Sequence, residues 1–102
     1  MTGNELRVTM AAWGLSGVQL SELLVVNQTS VYRWTKMGDR QIKAEGLARK
    51  YLIFLWRASD LPNINDLKKQ LHSCWENWGL NFALSYIGGI GAGLETYHRV
   101  KG

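Results

Sequence analysis

Residues 15–38 read Leu-Ser-Gly-Val-Gln-Leu-Ser-Glu-Leu-Leu-Val-Val-Asn-Gln-Thr-Ser-Val-Tyr-Arg-Trp-Thr-Lys-Met-Gly, and this stretch decides the fold. Ser16 is an N-cap residue type ahead of a run whose Leu20, Leu23 and Leu24 fall on one helical face. Asn27 is a second cap candidate, and Val31 and Trp34 share a face of the helix that follows it. Gly38 supplies a stop. Two short helices that cross steeply bury their common face only if apolar residues stand at fixed spacings. Leu20 and Leu24 meet that need from the first helix, Val26 from the turn, and Val31 and Trp34 from the second. Ser21 is small where the two backbones come closest. The spacing predicts a helix-turn-helix over residues 16–37.

The same segment resembles the Cro/repressor (XRE-type) helix-turn-helix family, whose usual run is Leu-Thr-Gln-Glu-Glu-Leu-Ala-Glu-Leu-Leu-Gly-Val-Ser and then a helix ending Val-Ser-Arg-Trp-Glu. Leu15, Ser16, Leu20, Ser21, Glu22, Leu23, Leu24, Val26, Asn27, Val31, Arg33 and Trp34 fit that pattern. The resemblance covers roughly residues 5–58 and leaves the C-terminal part outside it. It implies a λ-repressor-like bundle and a DNA-binding regulator of transcription, of the kind found in phage and plasmid autoregulation. Two positions depart from the pattern. Val25 stands where the family has a turn glycine, a position that takes a positive φ and strains a β-branched residue, so a rearranged turn is expected. Gly17 replaces a glutamine that touches the DNA backbone in such proteins, which passes that contact to Ser16 or Gln19.

In a helix-turn-helix the second helix enters the major groove while the first crosses the backbone. With Val31 and Trp34 turned inward, Gln28, Thr29, Tyr32 and Arg33 face out. Gln28 has the geometry to pair with adenine and Arg33 with guanine. Thr29 offers a methyl to thymine or a hydroxyl to phosphate, and Tyr32 offers a ring or a hydroxyl. Asn27 and Ser30 suit capping or backbone contacts. Lys36, Arg40 and Lys43 suit phosphates, which position a protein without specifying sequence.

Charge agrees with this placement. Residues 33–50 hold six basic residues (Arg33, Lys36, Arg40, Lys43, Arg49, Lys50) against Asp39 and Glu45, so the whole net charge of +4 arises there. Such a stretch reads equally as a solvated face or as a phosphate-facing surface; the neighbouring motif favours the second.

Outward from the motif, Leu6, Met10 and Trp13 recur at helical spacing over residues 4–13, ended by Gly14. Arg40 to Ala58 reads as a further helix. Its run Tyr51-Leu-Ile-Phe-Leu-Trp is apolar nearly all round, which calls for cover on more than one side. A second protomer is the economical cover. Pro62 marks a break. Residues 66–78 form an amphipathic helix with Leu67, Leu71, Cys74, Trp75 and Trp78 on one stripe. The tail alternates Leu80, Phe82, Leu84 and Tyr86, then Leu94, Thr96, His98 and Val100, around Gly88-Gly-Ile-Gly-Ala-Gly. That pattern favours a β-hairpin over a helix broken by the glycines.

The 102 residues, with 46% apolar side chains and five Trp, suffice for one core and argue against disorder. The expected division is a helix-turn-helix domain over 1–60 and a dimerising helix and tail over 61–102. The fold class is mainly α, a bundle of four to five helices with a C-terminal dimerisation helix and a small hairpin. Phe54, Leu55, Leu71, Trp75, Trp78 and Phe82 are the expected dimer contacts. A polar N-terminus without a secretory signal, no stretch fit to span a bilayer and a single cysteine suggest a cytoplasmic protein without membrane partners. His72 and Cys74 point to different sides of a helix, so no metal site is expected. The glycine run lacks the Gly-Lys-Ser/Thr ending of a phosphate loop. No catalytic constellation and no cofactor motif is present, so an enzyme is not expected. The partners expected are double-stranded DNA and a second copy of the chain. The rival class is a protein-interaction module that docks its aromatic C-terminal half on a protein partner.

Overall fold

Thr2 and Glu5 cap each other at the start of the first helix: the Glu5 N–H donates to Thr2 Oγ1 at 3.1 Å, and the Thr2 N–H donates to Glu5 Oε1 at 2.8 Å. In the computed structural model, which describes residues 1–101 and side chains as far as Leu94, helix α1 spans Gly3–Trp13. Gly14 ends it in the left-handed conformation, φ 61. Helices α2 (Gly17–Leu24), α3 (Gln28–Thr35), α4 (Gly46–Ala58), α5 (Ile64–Trp78) and α6 (Leu80–Lys101) follow. The described residues contain no sheet; one isolated bridge joins Thr2 and Gln41.

The mainly α expectation holds, and α1, α2, α3 and α5 stand where the spacing put them, to within two residues at either end. Leu20, Ser21, Leu23 and Leu24 are buried on α2 and Val31 on α3, while Trp34 packs half-buried against the core. Three expectations are corrected.

The first concerns the turn. It is not rearranged: Val25 itself takes φ 55, ψ 49 as the C-cap of α2, and its N–H reaches the carbonyls of Ser21 and Glu22. Its side chain is 80% exposed. The capping bonds and the apolar contacts on both sides of the turn hold the residue in a conformation that costs a non-glycine residue on the order of 1–2 kcal/mol.

The second concerns residues 40–45, which are not helical; α4 begins at Gly46. The segment instead pairs with the chain's first residues. The Ile42 N–H donates to the Met1 carbonyl at 2.9 Å and the Gly3 N–H to the Arg40 carbonyl at 3.2 Å. A long-range partner for the backbone has displaced a helix that local spacing alone allowed.

The third concerns the C-terminus. Residues 80–101 form one helix rather than a hairpin. Ala83, Ile87 and Gly91 repeat every four residues on its buried side, whereas Phe82, which made the pattern look alternating, is exposed. The side chains of Thr96, His98 and Val100 lie outside the described residues. This helix packs on α4 and α5 and touches α2, so it supplies the cover that the run Tyr51–Trp56 needs. Phe54, Leu55 and Leu71, expected at a dimer interface, are therefore buried inside the protomer. Trp75 is half-buried, and only Trp78 and Phe82 of that set are exposed.

Close approach explains Gly91. A Cβ there would run into the Phe54 ring, so a side chain at this position would hold α6 away from α4. The segments before and after residue 60 share one buried cluster, which joins Leu6 and Trp13 to Leu71, Ala83 and Ile87. Among the described residues no helix is long and apolar enough to cross a membrane.

Candidate nucleic-acid interface

The N-terminal end of α2 is fixed by a reciprocal cap. The Gln19 N–H donates to Ser16 Oγ at 3.1 Å, and the Ser16 N–H donates to Gln19 Oε1 at 3.0 Å. This orients the Gln19 amide so that its nitrogen remains a donor. The Ser16 hydroxyl likewise keeps its own proton to donate. The first helical amides of α2 therefore lie beside two side chains that retain donors for a phosphate.

Asn27 caps α3, its Oδ1 accepting from the Thr29 N–H at 2.9 Å. With the helix started there, burial of Val31 sets its rotation. Gln28, Thr29, Tyr32 and Arg33 are all exposed, Tyr32 at 60%. Ser30 is half-buried. The ammonium of Lys36 lies 4.2 Å from the centroid of the Tyr32 ring, one helical turn on, where a cation over the ring face is attracted. The contact holds both side chains over the outer face of α3.

The structure brings part of the expected set together. Gln28, Thr29 and Tyr32 share a hollow of about 570 Å³ with Ser16, Gly17 and Val18 of α2, with Met10, Val31 and Thr35 completing its walls. On the other flank of the α3 start, Asn27, Gln28 and Thr29 border a second hollow with Ser21, Glu22, Val25, Val26 and Leu80. Lys43 is apart from both. It borders a separate hollow of about 370 Å³ with Met1, Gln41 and Arg49. Arg40, also exposed, has its Nε 3.4 Å from the Met37 carbonyl.

Two residues of this face were missing from the sequence reading. Thr35 continues the stripe from Gln28 and Tyr32 at positions i, i+4 and i+7, a signal that was present in the spacing. Val18 belongs to α2 and reaches the α3 face only through the crossing of the helices, so no local pattern announces it.

The α3 C-terminus is braced by the chain's own beginning. A Cβ on Gly3 would stand 2.9 Å from the Gly38 nitrogen and 2.5 Å from the Trp34 carbonyl oxygen. The Asn4 N–H donates to the Gly38 carbonyl at 2.9 Å, and the Asn4 side-chain amide donates to Asp39 Oδ1 at 3.0 Å. Contact this close requires glycine at position 3.

Elsewhere, His72 Nε2 lies 2.8 Å from the Trp13 carbonyl oxygen, a bond between α5 and the end of α1. Compared with family models, curated proteins and solved structures, the chain matches none.

Proposed function

We propose that the chain is a sequence-specific double-stranded DNA-binding regulator of transcription, a repressor that acts as a homodimer on a near-palindromic operator. One observation carries this reading: α3 is capped, buries Val31 and turns Gln28, Thr29, Tyr32 and Arg33 to solvent together. Those four side chains offer bidentate, methyl and aromatic groups to base edges. Lys36 and Arg40 follow on the exposed surface of the chain leaving α3 and suit phosphates. The resemblance to XRE-type regulators points the same way, and repression by occluding a promoter is the default consequence of such binding.

The test is selection of bound duplexes from a random pool, followed by mobility shift against random competitor. Enrichment of a near-palindrome with half-sites about 34 Å apart is the expected result. A pool that never departs from random sequence ends the proposal.

The dimer reading draws its support from Trp78, 68% exposed, whose ring lies 5.7 Å from that of the exposed Phe82, with Trp75 on the same helix as Trp78. Tryptophan is enriched among the residues that carry binding energy at protein interfaces, and an aromatic pair in solvent offers such an anchor. Sedimentation at micromolar concentration should give a dimer, and Trp78→Ser should shift it to monomer. The same pair favours the second reading, a module that docks on another protein, which predicts no enriched duplex and a monomer in isolation.

A further inference from the structure

We infer that the hollow between α2 and α3 reads the 5-methyl group of thymine, and that Val18 is a specificity-determining residue; this rests on the DNA reading proposed above. Val18 is the second residue of α2 and is 48% exposed. A branched apolar side chain so placed contributes little to the core. It opens instead onto the hollow whose other accessible apolar surfaces are Met10 and the Tyr32 ring, with the buried Val31 beneath, and whose rim carries Gln28 and Thr29. The hollow and the outward face of α3 are therefore one continuous surface, sharing Gln28, Thr29 and Tyr32.

Chemistry then selects the occupant. Among the groups that base pairs present in the major groove, the donors and acceptors are polar and the thymine methyl is the only apolar one. Gln28 on the rim has the paired donor and acceptor that match adenine, so an adenine beside a thymine suits the surface as a whole. On the Tyr32 side of the hollow, the Lys36 ammonium lies 4.2 Å from the ring centroid. The mouth of the hollow is open at Gly17, where an added Cβ would meet only a Val31 methyl at 3.9 Å. A longer residue there would fit the backbone and roof the hollow.

The probe is the tightest duplex that the wild-type chain selects from a random pool, remade with uracil for each thymine in turn. This substitution removes one methyl and leaves every hydrogen-bonding group unchanged. A buried methyl corresponds to about four-fold in affinity. At one or two positions per half-site the wild-type Kd should therefore rise about four-fold. Val18→Ser, an exposed change whose fold is checked by circular dichroism, should bind the thymine duplex about as weakly as the wild type binds the uracil duplex, and should no longer distinguish the two.

Three results overturn the inference while the DNA reading stands. They are a selected duplex with no thymine in its half-sites, a wild-type Kd unmoved by every uracil, and a Val18→Ser variant that keeps the full uracil penalty. If no duplex is enriched at all, both this inference and the DNA reading fall.

Discussion

The indole N–H of Trp13 donates to the backbone carbonyl of Leu55, 42 residues later, at 2.9 Å in the buried core. This bond fastens the end of α1 to the last turns of α4. The same carbonyl also accepts the Ser59 N–H at 3.0 Å, so removing the indole does not orphan it. Trp13→Phe should therefore cost one net hydrogen bond and the void of the missing ring, together about 2–3 kcal/mol. Urea unfolding that shows a lower midpoint with an unchanged slope is the expected record.

Val25 offers a gain rather than a loss. It holds φ 55 with its side chain in solvent, so it carries backbone strain with little packing in return. Val25→Gly should stabilise the fold by about 1 kcal/mol, the strain relieved being partly offset by a more flexible unfolded chain. A lower urea midpoint for this variant would mean that the exposed isopropyl group contributes more than its accessibility suggests.

The glycines of α6 should divide sharply. An added methyl at Gly89 or Gly93 meets nothing within 4 Å, so alanine at either should raise stability by about 1 kcal/mol through helix propensity. At Gly91 the methyl meets the buried Phe54 ring, and Gly91→Ala should lower stability by about 1–3 kcal/mol. Thermal melts of the three single variants, run side by side, check the order.

On the DNA reading proposed above, base reading and phosphate contact should be separable. Arg33→Ala should relax preference at a single base pair, at a cost of about 1–3 kcal/mol. Lys36→Ala should weaken selected and random duplexes alike and reduce the slope of log K against log salt by about 0.9. Binding titrations at several salt concentrations distinguish the two patterns.

Tyr86 gives a prediction for alkaline solution. Burial, and then the nearby Cys74 side chain, raise its pKa above the ordinary phenol value. Its hydroxyl donates to Gln70 Oε1 at 2.7 Å, a bond that only the protonated form can make. The raised native value means that this stabilisation is whole below the unfolded pKa, about 10, and is lost as pH rises through the native one. Wild type should lose stability above pH 10 more steeply than Tyr86→Phe, as read by urea midpoints across that range.

How far the sequence alone reached differs from element to element. The caps at Ser16 and Asn27 and the inward positions of α2 and α3 are local, so spacing and residue chemistry revealed them. The start of α4 was not legible, because the partner of residues 40–42 is the backbone of residues 1–3 and Ile42 happens to fall in helical register. The form of α6 was hidden by two opposing signals, a two-residue alternation at Leu80, Phe82, Leu84 and Tyr86 and a run of poor helix formers. Packing of Ala83, Ile87 and Gly91 against α4 and α5 outweighs both. That packing also explains why the apolar run Tyr51–Trp56 did not require a second protomer. For the candidate site, the outward quartet of α3 was legible because one buried valine determines it, while Val18 required the crossing of two helices.

The brace between Gly3 and the Trp34–Gly38 segment, with Val31 as the one fully interior side chain of α3, frees the outward quartet from any duty in folding. Positions 28, 29, 32 and 33 form an interchangeable lettering on a fixed frame. A library randomised at those four sites should yield mostly folded proteins and, on the DNA reading, altered target preferences, so that a lineage carrying this frame would acquire a new address without rebuilding its core.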